Sequence, residues 1–281
     1  MSKTLFVIAF GVLAFTVGAG LVYKKFFSRT PEQIARAEQQ QSLARRMIAG
    51  QFTDPVSGNV LPWRLFVPEG VDAQHPAPII LALHSGAGRG NDNLKQLDDT
   101  IAYLLSDELQ SLAKTIVLAP QAAERSHWVD YPGFEPPFTN FSQQQIPESQ
   151  NIKSAIRLLK ETIAHYHADP ARVYITGISM GGEGSWDAIT YYPDLFAAAL
   201  ILNGAGDPAA MVRVKDLPIR FFHGSDDNIT PTANSRELAA ALKELGALAR
   251  YEEIPGAGHN IRHRVYNREN LGWLLQHSNP R

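Results

Sequence analysis

From residue 51 to the C-terminus, short apolar runs alternate with longer stretches in which apolar residues recur at helical spacing. The runs predict strands at Asn59–Val67, Pro78–Leu83, Thr115–Ala119, Arg172–Thr176, Ala197–Leu202, Ile219–Phe222 and Ala249–Ile254. The stretches between them predict helices at Leu94–Leu112, Asn151–His165, Met180–Tyr191, Ala233–Leu245 and Arg264–Gln276. Uninterrupted apolar runs are typical of strands that are buried on both faces. Residues 51–281 are therefore predicted to form one α/β domain, a mostly parallel sheet with helices on both faces.

The N-terminal part has a different pattern. Leu5–Tyr23 is uncharged and mainly apolar, about as long as a helix that crosses a bilayer core of roughly 30 Å, with Lys3 before it and Lys24 and Lys25 after it. Small residues around Ala19 would also suit a cleavable signal. Residues 1–30 are thus predicted to be a membrane anchor or a signal segment, and 31–50 a polar helical spacer. The protein is expected to be anchored by this single helix or exported, with the side of the membrane left open.

Composition excludes several classes of function. The chain has 26 basic and 28 acidic side chains, so a broad surface for nucleic acid is not expected. It has no cysteine, which rules out disulfides, thiolate metal sites and cysteine nucleophiles. The histidines at His165 and His167 lie at a predicted helix end without a third ligand in view. We expect neither a metal nor a cofactor.

The strongest chemical signal is the segment Gly177–Gly181, a G-x-S-x-G motif between a predicted buried strand and a predicted helix. The glycines allow a tight turn that exposes the hydroxyl of Ser179. The start of the helix brings the Met180 N–H to where an oxyanion would form. This context predicts that Ser179 is a nucleophile and that Met180 contributes to an oxyanion hole.

A serine nucleophile needs a base and an acid, which follow it in this type of fold. His259 lies in a glycine-rich loop after the last predicted strand, and His263 is its local alternative. The acid candidates follow two other strands. They are Asp226, Asp227 and Asp207.

Two further loops are predicted to border the site. The glycine-rich loop His84–Asn93 follows a buried strand and should supply a second oxyanion donor; it lacks the lysine of a phosphate-binding loop. Arg125–Gln150 has no periodicity but carries five aromatic residues. Trp128 and Phe138 of this loop are predicted to line a short substrate pocket.

Three segments together resemble the α/β-hydrolase superfamily: the loop His84–Asn93 with Leu94, Asp169–Gly182, and Trp186 with Tyr192–Phe196. The likeness is to its esterase and predicted-peptidase branch, with polyhydroxybutyrate-depolymerase-like and dienelactone-hydrolase-like carboxylesterases. The resemblance implies that Asp227 is the acid, because the family's H-G-x-x-D-x-x-x-P pattern falls on His223, Gly224, Asp227 and Pro231. It also implies Gly86 and Met180 as oxyanion donors.

The sequence departs from the family at two positions. Ser85 stands where glycine is usual, and Glu183 stands where an aromatic or small residue is frequent. A carboxylate at Glu183, four residues after Ser179, would disfavour anionic substrates if it lines the site, or would face solvent.

These observations predict a serine hydrolase of carboxylic esters that acts through Ser179, His259 and Asp227 and an acyl-enzyme intermediate. The same residues would suit a peptidase or a thioesterase. A third possibility is a binding protein that keeps the fold without the catalysis.

Overall fold

The computed structural model describes residues 30–131, 133 and 136–279. The apolar run Leu5–Tyr23, with the predicted anchor or signal, lies outside the described residues. Within the described part of the chain, no helix combines the length and the apolar character that crossing a membrane requires.

An eight-stranded sheet forms the centre of the described chain. In chain order its strands are β1 (Ile48–Thr53), β2 (Val60–Phe66), β3 (Ala77–Leu83), β4 (Ile116–Pro120), β5 (Ala168–Ile178), β6 (Ala198–Leu202), β7 (Ile219–Gly224) and β8 (Ala249–Ile254). Their order in the sheet is β1-β2-β4-β3-β5-β6-β7-β8. β1 and β2 pair antiparallel, as do β2 and β4, and every other pairing is parallel. The predicted mostly parallel sheet is confirmed.

Helices cover both faces of this sheet. In chain order α1 (Pro31–Arg45) comes first, and the helices that cover the sheet are α2 (Asp99–Leu104), α3 (Asp107–Leu112), α4 (Gln150–His165), α5 (Met180–Tyr191), α6 (Thr232–Glu244), α7 (Arg262–Val265) and α8 (Arg268–Leu275). The central strand β3 alternates between two cores: Ile79 and Leu81 pack in the core beneath α4, α5 and α6, whereas Ile80 packs in the core beneath α2, α3 and α8. This alternation explains the uninterrupted apolar run, since every position of β3 is buried.

The structure differs from the sequence-based prediction at some element boundaries. Ile48–Thr53 is an edge strand in which only Phe52 is buried, so its sequence gives little strand signal. The compact unit that contains the sheet begins at Gln40, and Leu43, Ala44 and Met47 are buried within it. The C-terminal part of the predicted spacer therefore belongs to the body of the domain. The predicted helix Leu94–Leu112 is two short helices, because the Ser106 hydroxyl accepts from Leu109 N–H and starts α3 afresh.

Candidate active site

Ser179 occupies a sharp turn between β5 and α5. Its backbone angles, φ 58° and ψ −126°, are ones that a residue with a side chain rarely adopts. The turn is held by the Ser179 N–H, which donates to the Leu202 carbonyl at the end of β6 (3.0 Å). A Cβ atom on Gly181 would lie 1.9 Å from the Leu83 carbonyl oxygen, so only glycine fits there. The G-x-S-x-G spacing thus reflects a steric need: β3 and the start of α5 approach each other closely beside Ser179.

The loop after β3 lies at the same edge of the sheet. β3 and β5 are parallel neighbours, with Leu83 paired to Gly177, and the loop continues into a 3₁₀ turn at Gly86–Gly88. The Gly86 carbonyl accepts from Arg89 Nε (3.0 Å). Gly86, predicted as an oxyanion donor, therefore follows the strand next to the one that ends at the Ser179 turn.

His84 fixes the shape of this loop. Its Nε2 accepts from the Ala122 N–H (2.9 Å), and its Nδ1 donates to the Ser85 carbonyl (2.7 Å). Burial lowers the pKa of His84 to about 4, so the ring is neutral and can accept at Nε2. The ring also packs against Gly88, where a Cβ atom would be 2.6 Å from it. His84 thus ties the predicted oxyanion loop to the segment that follows β4.

Asp227 and His259 are in direct contact. Asp227 Oδ2 accepts from His259 Nδ1 at 2.7 Å, while Oδ1 accepts from the N–H groups of Ile229 (2.9 Å) and Thr230 (3.0 Å). The Asp227 side chain is fully buried, whereas 22% of the His259 side chain is exposed. The arrangement leaves the Nε2 side of the imidazole available for a proton transfer.

The second imidazole near Asp227 belongs to His223. Its Nε2 lies 2.8 Å from the Thr230 carbonyl and 3.3 Å from Asp227 Oδ2, and its Nδ1 contacts the Ser235 hydroxyl (2.7 Å). Burial on its own would raise the pKa of Asp227, but the hydrogen bonds from His223 and His259 outweigh it and hold that pKa well below its usual value. Asp227 is therefore a carboxylate at neutral pH. The sequence places His223 in the H-G-x-x-D-x-x-x-P pattern, but that pattern does not predict its contact with the acid.

Asn203 links the two halves of the site. Its Nδ2 donates to the His259 carbonyl, and its Oδ1 accepts from the Gly224 N–H (3.2 Å). Its φ is 45°, a left-handed conformation that asparagine tolerates better than most residues. Because Asn203 follows Leu202, the end of β6 holds both the Ser179 turn and the His259 loop. The sequence alone gave no signal for this residue beyond an asparagine after a strand.

The alternative acid and base have other partners. Asp226 is exposed and accepts from the Ser225 hydroxyl (2.7 Å). Asp207 caps the turn at Ala209 (2.9 Å) and accepts from the Gln143 N–H (2.8 Å). His263 is exposed on α7. Of the three candidate acids, only Asp227 contacts His259 in the described chain.

Trp128, in the loop Arg125–Gln150, does not line a pocket. Trp128 is completely buried, its Nε1 donates to the His84 carbonyl (3.0 Å), and it packs against Gly184 of α5. The prediction that it lines a substrate pocket is corrected: its ring anchors the loop to the core. Phe138 is half-buried, and its N–H donates to the Ile229 carbonyl in the Asp227 loop (3.3 Å).

Glu183 lies neither at the surface nor on an open pocket wall. Its side chain is fully buried, and burial raises the pKa of Glu183 to about 8. The expectation of a carboxylate that repels anionic substrates is therefore corrected, because the group is a neutral acid at neutral pH. Among the described residues, no group of three or more histidine, aspartate or glutamate side chains is arranged to hold a metal ion.

A family model for the dienelactone hydrolase family matches residues 117–269, more than half of the chain. The chain belongs to the dienelactone hydrolase family. The matched segment includes Ser179, Asp227 and His259, and ends before the last turns of α8.

Three proteins that this chain resembles are named as esterases. Carboxylesterase SOBER1 of Arabidopsis thaliana is 28% identical over 143 residues, which cover 48% of this chain and 60% of that protein. The crystal structure of a thermostable esterase is similar with a TM-score of 0.77 and 33% identity, over 84% of this chain and 64% of the other. The chain thus spans less than two thirds of the length of either relative. An acetyl xylan esterase from Aspergillus awamori, 18% identical with a TM-score of 0.57 over 80% of this chain and 99% of its own, shares the fold.

Proposed function

We propose that this member of the dienelactone hydrolase family is a serine hydrolase that cleaves carboxylic esters. The observation that carries the proposal is the 2.7 Å contact between Asp227 and His259 at the edge of the sheet where the strained turn presents Ser179. The similarity to an esterase at 33% identity supports the choice of substrate class.

Each residue has a separate task in the proposed reaction. Ser179 Oγ attacks the carbonyl carbon of the ester while His259 accepts its proton at Nε2. Asp227 holds the imidazole by Nδ1 and stabilises its positive charge. The N–H groups of Gly86 and Met180 donate to the oxyanion, with the positive end of the α5 dipole behind Met180.

The second half of the reaction regenerates the enzyme. His259 donates its proton to the leaving alcohol, and the acyl group stays on Ser179. A water molecule, deprotonated by His259, then attacks the acyl-enzyme and releases the acid. Side chains, backbone N–H groups and water are sufficient for these steps.

The loop Arg125–Gln150 favours substrates with a short acyl chain. Phe138 is half-buried and bonded to the Asp227 loop, and its ring lies 5.7 Å from Tyr131. Trp128, by contrast, is buried in the core and offers no surface to a ligand. A chain of this length between β4 and α4 is too short to form a helical lid over a long acyl tail, so we infer a preference for short-acyl or aryl esters.

Kinetics on a series of substrates test both the reaction class and the size of the pocket. The kcat/KM values would be measured for p-nitrophenyl esters from acetate to palmitate, a matched thioester and a peptide. We expect kcat/KM to be highest for esters with an acyl chain of two to four carbons. Because each methylene that fits the pocket contributes up to about 0.8 kcal/mol, Phe138→Ala should weaken the dependence of kcat/KM on acyl chain length. Hydrolysis of the peptide or thioester alone would replace the ester assignment, and no hydrolysis at all would favour a binding protein.

The N-terminal segment is proposed, from its sequence, to attach the protein to a membrane or to direct its export. Fractionation of the full-length protein and of a variant without residues 1–30 tests this directly. The full-length chain should resist extraction from membranes by alkali, and the shortened chain should be recovered in solution with its activity. A mature N-terminus near Leu21 would instead identify a cleaved signal.

A further inference from the structure

Glu183 combines complete burial with the lack of a hydrogen-bond partner. Both carboxyl oxygens are shielded from solvent, and neither has a hydrogen-bond partner among the described residues. A buried polar group without a partner is costly, and such groups are rare in folded proteins. Its presence one turn after Ser179 calls for a physical reason.

Glu183 is also close to Ser179 along the helix. Its N–H donates to the Ser179 carbonyl (2.9 Å), one turn earlier. Side chains on a helix lean toward its N-terminus. The Glu183 side chain therefore leans toward the end of α5 at which Ser179 lies.

Among the described residues, no positive charge offsets the effect of burial on the pKa of Glu183. His127 Nε2 lies 3.4 Å from Glu183 Oε2, but burial lowers the pKa of His127 to about 3, helped by the positive charge of Arg89. His127 Nδ1 accepts from the Val129 N–H (3.2 Å), which leaves a neutral ring with its proton on Nε2. Burial also raises the pKa of Asp187, one turn further along α5, to about 7, and it raises the pKa of Tyr131 in the loop well above its usual value.

Aromatic rings pack against His127, the neighbour of Glu183. The ring of His127 lies 5.3 Å from that of Tyr131 and 5.6 Å from that of Phe138, and both of these rings are half-buried. This layer keeps water from Glu183 and His127, whose side chains are 0% and 6% exposed. A charge on Glu183 would therefore be poorly screened.

We propose that Glu183 is a further functional residue of this site: as a neutral acid it leaves the reaction undisturbed, and its ionisation turns the enzyme off at alkaline pH. The inference rests on the proposed serine-hydrolase function. An ionised Glu183 would place an unpaired negative charge on the helix whose N-terminus stabilises the oxyanion, and the two negative charges would repel each other. The proton leaves Glu183 to solvent hydroxide, and no other bond changes.

The pH dependence of kcat/KM for a short p-nitrophenyl ester tests the proposal, with Glu183→Gln as the decisive variant. Because burial raises the pKa of Glu183 to about 8, the wild-type value should fall by at least about tenfold between pH 7 and pH 9.5. Glutamine is isosteric with glutamate and cannot ionise. In Glu183→Gln, kcat/KM should therefore be nearly equal at pH 7 and pH 9.5. Circular dichroism at both pH values separates this effect from unfolding, and Glu183→Leu is a second neutral variant.

Asp187→Asn is the matched control, since Asp187 is a buried acid on the same helix, one turn further from Ser179. It should keep the wild-type alkaline fall. A wild-type profile that stays flat to pH 9.5, or a Glu183→Gln profile that still falls, would overturn the proposal while leaving the esterase assignment intact. Failure of the wild type to hydrolyse any ester at any pH would overturn the proposed function instead.

Discussion

At the scale of single residues, the site depends on backbone positions as much as on reactive side chains. Ser179 and Asn203 both have positive φ angles, and each lies directly after a parallel strand. The sequence identified Ser179, because the glycines around it carry a recognisable spacing. It could not identify Asn203, whose role depends on contacts with a loop 56 residues away. Nor could it show that Glu183 and Trp128 are buried, because burial depends on the path of the aromatic loop.

Replacing Asn203 tests its role in holding His259. Asn203→Asp keeps the shape of the side chain and tolerates the positive φ. It replaces the Nδ2 group, which donates to the His259 carbonyl, by an oxygen that cannot donate. We expect kcat to fall by about 10- to 100-fold with little change in KM, since roughly 1–3 kcal/mol of positioning is lost. Asn203→Gly, which relieves the backbone but lacks the side chain, should also lower kcat. Wild-type kcat in both variants would contradict this role.

The choice of acid is tested by a matched pair of neighbouring substitutions. Asp227→Asn should lower kcat by about 10⁴-fold, because the amide favours the wrong tautomer of His259. Asp226→Asn should change kcat little, since Asp226 is exposed and contacts only Ser225. Both would be measured at pH 7 on the same ester. Comparable losses in the two variants would mean that the acid is misassigned.

At the scale of elements, the edge of the sheet is fastened to α4 by a buried aspartate. Asp54, which follows β1, accepts from Arg157 and from the Ser154 hydroxyl (2.8 Å) on α4. Burial would raise the pKa of Asp54, but these donors and the N–H groups of Val56 and Ser57 hold it well below its usual value. The sequence did not reveal this contact, because β1 itself was not predicted.

Asp54→Asn should lower the free energy of unfolding by about 2 kcal/mol at pH 7, since it removes a buried charge-assisted contact. The folded pKa lies below the ordinary value of 3.8, so the stabilising contribution is present above that pH and is lost as the pH falls below it. The difference between wild type and variant in urea unfolding should therefore be smaller at pH 3 than at pH 7. An equal difference at both pH values would show that the charge of Asp54 is not the cause.

At the scale of the whole molecule, the unit that begins at Gln40 is a sheet between two helical layers, with the candidate site at the carboxyl ends of the parallel strands. This arrangement was predictable because strands buried on both faces must be apolar at every position, as β3 and β6 are. The antiparallel edge was not predictable, since β1 buries only Phe52. The order of the strands brings together residues far apart in sequence, and Asp227 and His259 illustrate this by their contact across 32 positions.

The central claim is that Ser179 is the nucleophile of a serine hydrolase. Its most direct test is to label the protein with a fluorophosphonate probe and to locate the adduct by mass spectrometry, with and without a competing short ester. We predict one adduct on Ser179, suppressed by the ester and absent from Ser179→Ala, whose hydrolysis should be lower by about 10⁴-fold or more. Ser111→Ala, an exposed serine on α3, should be labelled as the wild type is. An adduct on another serine, or a Ser179→Ala variant with a tenth of the wild-type activity, would contradict the claim.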